Sequence, residues 1–155
     1  MLCSIGVVIP EFEKTGLLPV GVHWATLHEI EARYGTNLHR LRLLGGQKRG
    51  IHALEVAGCR HLYLNGGFVT AKELPQDYDV CWDAVGVNFS LLDPVLLDFR
   101  NQRAAQKAKY LGEFFPAHVH AEVTPPFRIY FEFFQTDKST GDRKGIIGIA
   151  LKGRP

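Results

Sequence analysis

The chain has 155 residues, enough for one domain with a sizeable buried core. Hydrophobic residues make up 46% and charged residues 22%, the balance of a globular chain rather than a disordered or membrane-spanning one. The net charge of +2 carries no polyanion signal, so any nucleic-acid stripe would have to come from local clustering.

The opening MLCSIGVVIP is apolar but short, has no basic lead and runs into the acidic EFEK, which reads as a local strand or tail rather than a secretory signal. No run approaches the roughly 20 apolar residues of a membrane span. Cys3, Cys59 and Cys81 form neither a C-x-x-C pair nor a disulfide framework, which predicts reduced thiols and a soluble, cytoplasmic protein. Residues 15–22, TGLLPVGV, read as an irregular lead-in. In WATLHEIEARYG, Leu27, Ile30 and Tyr34 recur at helical spacing, with Thr26 and Glu29 as a capping box and Gly35 as the stop. A second helix is expected over 37–57, capped by Asn37 and ended by Gly58, with Gly45 and Gly46 as a kink or break.

A strand follows at 61–65, then Gly66 and Gly67, a short helix or loop through Glu73, and a strand over 77–83. The segment PVLLDF, 94–99, reads as a short strand or a turn onto a helix. NQRAAQKAKYLGEFF reads as helix from 101 to about 115, closed by Pro116. FRIYFEFFQ, 127–135, is rich in aromatic and β-branched residues and reads as a strand. KGIIGIALK, 144–152, reads as its antiparallel partner across DKSTGD. The order predicts an α+β fold: one mixed β-sheet with helices packed on one face and a C-terminal antiparallel hairpin. The whole of 1–155 is expected to form a single domain, with a lead-in and helices over 1–57 and a core with the site over 58–151.

Two features point to chemistry. In DYDVCWD, strand alternation puts Asp77, Asp79, Cys81 and Asp83 on one side and Tyr78, Val80 and Trp82 on the other. The acids read either as the wet face of an amphipathic strand or as ligands for Mg²⁺, which takes one or two carboxylates along with substrate phosphates and water. Paired acids at i and i+2 repel one another, which a cation would relieve. The Gly-Gly after an apolar strand is either a plain turn or a backbone N–H cradle for an anion. Cys81 has no base partner in sequence and is not read as a nucleophile. The histidines, His118 and His120 among them, show no zinc-site spacing.

The stretch LNGGFVTAKELPQDYDV resembles the signature of the polymerase-β-type nucleotidyltransferase fold, and the minimal prokaryotic nucleotidyltransferases most of all. GVHWATLHEIEARYGTN, AGCRHLYLNGGFVTAKE, DPVLLDF, RAAQKAKY and EFFQTDKSTGDRKGI together resemble a family of small prokaryotic proteins related to that superfamily, over residues 18–151. The resemblance implies Mg²⁺ held by Asp77, Asp79 and a third acid on a later strand, with Glu132 the first choice, Glu122 the second and Asp98 the third. It implies a nucleoside triphosphate with its phosphates on Gly66 and Gly67, where Gly67 stands at a position often held by Ser. Lys72, Arg103 and Lys107 are candidates for the triphosphate or an acidic partner, or else solvated helix charges. Two functions follow. One is transfer of a nucleoside monophosphate to a hydroxyl on a protein, an RNA end or a small molecule. The other is a binding or regulatory module that has lost catalysis, such as one member of a toxin–antitoxin pair with its partner protein. A nucleic-acid-binding protein is disfavoured by the balanced charge.

Overall fold

The computed structural model describes residues 9–151. The expected strand or tail at the start, with Cys3, lies largely outside those residues. The fold is α+β, with a five-stranded mixed sheet in the order β1-β5-β2-β3-β4. Its strands are β1 (Gly21–Trp24), β2 (His61–Asn65), β3 (Asp79–Trp82), β4 (Glu113–Pro116) and β5 (Gly145–Ala150). β1 runs parallel to β5 and β3 parallel to β4, while β2 is antiparallel to both β3 and β5. The first strand begins in the last two residues of what reads in sequence as lead-in and runs on to Trp24, unseen because only four residues with a single partner strand leave little periodicity to detect.

Both N-terminal helices form where their caps predict. Helix α1 (Leu27–Tyr34) starts from a complete capping box, with the Thr26 hydroxyl accepting from Glu29 N and the Glu29 carboxylate accepting from Thr26 N. Helix α2 (Leu38–Val56) is capped by Asn37 Oδ1, which accepts from Arg40 N at 2.8 Å. It runs unbroken through Gly45 and Gly46. A Cβ at Gly46 would come within 2.0 Å of the Tyr110 carbonyl oxygen, so the missing side chain serves close packing rather than bending. These helices and α3 (Arg100–Tyr110) lie over the sheet face built from Leu62, Leu64, Val80, Trp82, Phe114, Ile147 and Ile149. Among the described residues no helix is long and apolar enough to cross a membrane.

Two expectations at the C-terminal end fail. FRIYFEFFQ is not a strand, and there is no C-terminal antiparallel hairpin of two full strands. Tyr130–Phe133 forms one helical turn, α4, and β5 pairs with β1 and β2 instead. Only the isolated bridge Thr136↔Arg143 and the Lys144 N–H to Gln135 O bond remain of the predicted pairing. An unbroken aromatic run has no alternation to fix its period, and tertiary packing decides it. Here Tyr130 stacks on Phe115 at 4.3 Å between centroids and Phe131 meets Tyr63 edge-on at 4.7 Å. α4 therefore covers part of the opposite sheet face, so the helices are not confined to one side. Nor does the third long helix reach residue 115. It stops at Tyr110, Leu111 takes a left-handed conformation (φ 64°), and Glu113–Pro116 becomes edge strand β4. PVLLDF resolves as a 3₁₀ turn at Pro94–Leu97 leading to that helix.

Candidate functional site

Strand register builds the site before any side chain is considered. Asn65 of β2 pairs with Asp79 of β3, and Asp79 pairs with Glu113 of β4. Paired residues share a face, so the three form one row across the sheet, opposite the main core. The alternation read from DYDVCWD holds here, since Val80 and Trp82 enter the helix-covered core while Cys81 packs on the other face with Phe115.

The chain leaves β2 through Gly66 (φ 85°) into the 3₁₀ turn Gly67–Val69. A Cβ at Gly66 would lie 2.9 Å from Asp79 Oδ2, so the glycine supplies both a left-handed backbone and room for the carboxylate. Helix α2 holds the following loop. Arg40 is buried, and its guanidinium donates to the carbonyls of Phe68 (2.8 Å), Thr70 (3.1 Å) and Lys72. Asn37 Nδ2 donates to Glu73 O and His39 Nε2 to Pro75 O. Three carbonyls replace the carboxylate that a buried arginine would otherwise need.

The acids repel one another. Burial, then the charges of Asp77 and Glu113, push the Asp79 carboxyl up to about 7, against Lys138 and Lys144. Burial and Glu113 also raise Asp77, opposed by Lys107, Lys138 and Arg103. Glu113 itself is held by Arg103 Nε at 2.6 Å and Lys107 Nζ at 3.2 Å. Arg103 reaches it from a left-handed turn, Asn101–Arg103 (φ 49°, 55° and 62°), and its guanidinium lies 5.0 Å above the Phe115 ring. Such a backbone costs roughly 1–2 kcal/mol per residue, a strain that only surrounding contacts hold in place.

Of the residues expected from sequence, Asp77, Asp79, Gly66, Gly67 and Lys72 come together, the last four on or beside one cavity of about 470 Å³. The three acids named for the third position do not join them. Glu132 is exposed on α4 and accepts from Ile129 N of its own turn. Glu122 is clamped by Arg128 (2.6 and 2.9 Å), which holds its carboxyl down to about 2. Asp98 is paired with Arg100 in the same way, also down to about 2. Glu113 stands where they were sought. In sequence EFF reads as the end of a helix, which hides Glu113; a strand after Gly112 is the signal that reveals it. Asn65 was missed too, although a polar residue closing the apolar run LYL marked it. Arg103 and Lys107 do act together, on Glu113 rather than on open solvent.

Two carboxylates raised by burial and by neighbouring acid charge would gain from a cation such as Mg²⁺, which takes its remaining ligands from phosphate and water. Among the described residues no three His, Cys, Asp or Glu side chains converge into a ready-made cage. A cation there would rely on the ligand it binds.

A family model, described as a family of unknown function (DUF6932), matches residues 10–150. The chain belongs to that family. No curated protein and no solved structure matches it. The DUF6932 match spans every strand of the sheet, with Asn65, the glycine turn, Asp77, Asp79 and Glu113.

Proposed function

We propose that this DUF6932 protein is a Mg²⁺-dependent nucleotidyltransferase, moving a nucleoside monophosphate from a nucleoside triphosphate to a hydroxyl group on a protein, an RNA end or a small molecule. The observation that carries this reading is the packing of the glycine turn against the acid, with Gly66 too close to Asp79 Oδ2 for any side chain. An anion on the turn's backbone N–H groups would lie against a carboxylate, an arrangement that a divalent cation held by Asp79 would make favourable. Bound Mg²⁺ would neutralise the triphosphate and polarise the reacting phosphoryl group.

The chain's own residues do the rest. Asp77 and Asp79 offer oxygen ligands, and Gly66 and Gly67 leave the turn open to phosphate. The acceptor oxygen bonds to the α-phosphorus, the bond to the β-phosphate's bridging oxygen breaks and pyrophosphate leaves. The hydroxyl proton would pass to a carboxylate of the site, and Glu113, beside Asp79 in register and held in position by Arg103 and Lys107, is the candidate to take it.

A second reading, a binding or regulatory module of the same type such as half of a toxin–antitoxin pair, is favoured by the ion pairs that already occupy Glu113. Labelled ATP, GTP, CTP and UTP, offered with Mg²⁺ to the protein in a lysate and in purified form, separate the two. Transfer that Asp79→Asn abolishes supports the enzyme, whereas labelling unchanged by that substitution sinks it. A wild type that binds no nucleotide and holds a stoichiometric protein supports the module.

A further inference from the structure

Lys72, Lys138 and Lys144 line the cavity that contains Gly66, Gly67 and Asp79. They come from two segments far apart in sequence, the loop after the glycine turn and the loop that precedes β5. Among the described residues none of the three takes part in an ion pair. Asp137, on the second loop, is turned to its own backbone and neighbours, accepting from Ser139 Oγ (2.6 Å), Thr140 Oγ1 (2.9 Å) and Thr140 N (3.1 Å). Further bonds from Asp137 N to Asp142 O and Gly141 N to Asp137 O close that loop on itself. It is thus a built support for Lys138 and Lys144.

Converging ammonium groups are costly without an anion. Burial holds Lys144 below the usual lysine range, with Lys138 and Lys72 acting the same way and Asp137 and Asp79 opposing. Lys72 lies over the turn itself, its Nζ 3.8 Å from where a Gly67 Cβ would stand. A second sign is independent of charge. Asn65, on the cavity wall and 2% exposed, has its side-chain Oδ1 without a hydrogen-bond partner. A buried acceptor left unpaired costs about 1–3 kcal/mol, which a donor carried into the cavity with the ligand, such as a sugar hydroxyl, would recover.

We infer that Lys138 and Lys144, with Lys72 facing them across the Gly66–Gly67 turn, form a clamp for the polyphosphate chain of a nucleoside triphosphate. The inference rests on the transferase reading for the identity of the anion. It also reassigns the phosphate contacts: the C-terminal loop provides them, while Arg103 and Lys107 serve Glu113.

The test is calorimetric titration of the whole protein with ATP, AMP and inorganic tripolyphosphate, each with and without Mg²⁺. The proteins are wild type, Lys138→Met/Lys144→Met, Lys138→Arg/Lys144→Arg, and Lys48→Met as a control on a lysine already paired with Glu31. The clamp predicts that ATP and tripolyphosphate bind the methionine variant at least 10-fold more weakly, that arginine restores most of the affinity, and that Lys48→Met changes nothing. The methionine variant should melt no lower than wild type, because the cost of burying the Lys144 charge is removed. Wild-type affinity for ATP and tripolyphosphate in the methionine variant would overturn the clamp and leave the transferase reading standing. Lysine-dependent tripolyphosphate binding with no nucleotide transfer would keep the clamp and overturn the transferase. Binding of AMP as tight as that of ATP would overturn the clamp, and so would binding of neither polyphosphate by folded wild type.

Discussion

Two glycine pairs, Gly45-Gly46 and Gly66-Gly67, look alike in sequence and do different work. The first sits in the middle of α2, where Gly46 meets the Tyr110 carbonyl at a distance no side chain allows and Gly45 meets only the end of Arg49. The second leaves a strand, where Gly66 has a left-handed backbone against Asp79 and a Cβ at Gly67 would meet Lys72 and Pro75 at an ordinary 3.4 Å. Each pair has one indispensable member. One is required for packing, the other for backbone conformation and access to a carboxylate, so substitution should separate stability from binding.

The largest effect is expected from Gly46→Ala. Its Cβ would push on the backbone carbonyl that also accepts the Tyr78 hydroxyl, forcing α2 away from the end of α3. A loss of about 3 kcal/mol in urea unfolding is expected, the upper part of the overpacking range. Gly66→Ala should cost less, roughly 1–3 kcal/mol for alanine at φ 85° and ψ −169°, a region populated essentially by glycine, yet lower Mg²⁺-dependent ATP affinity at least 10-fold in calorimetry. Equal losses of stability and no loss of binding at Gly66 would erase the distinction between the pairs.

Asp79→Asn separates the carboxylate from the turn. The folded Asp79 carboxyl titrates near 7 and an unfolded aspartate near 4. Between those values the native state holds the extra proton, so this group's contribution falls as pH rises from 4 to 7 and is flat above. The asparagine variant should therefore melt at the wild-type temperature at pH 4 and above it at pH 8, while losing Mg²⁺ binding at pH 8. In wild type, Mg²⁺ affinity should rise with pH through 7, because the cation competes with that proton. The smallest effect is a gain: Gly45→Ala should stabilise α2 by about 0.5–1 kcal/mol and leave ligand binding unchanged, as measured by urea unfolding and calorimetry.

The same contrast explains what could be read from sequence. Local signals were sufficient for α1 and α2, whose caps at Thr26 and Asn37 act within one turn, and for β2, whose Leu62 and Leu64 alternate with half-buried neighbours. The glycine turn and Asp79 were legible because backbone freedom and acid spacing are properties of short segments. Glu113, Asn65, Lys138 and Lys144 were not, because only the strand order and the return of the chain through β5 bring them to Asp79. The aromatic run at 127–135 misled for the same reason. Its helical turn is fixed by Phe115 and Tyr63, which lie in other strands.

Arg40 gives the loop after the glycines the mechanical character of a helix. Its guanidinium ties three alternate loop carbonyls to the first turn of α2, so residues 68–72 cannot open without unseating that turn. The two segments form one cooperative unit in the sense of native-state hydrogen exchange, despite being about 30 residues apart in sequence. Occupancy of the turn should therefore slow amide exchange at the start of α2, at positions no ligand touches, which hydrogen–deuterium exchange with and without Mg²⁺ and ATP would report.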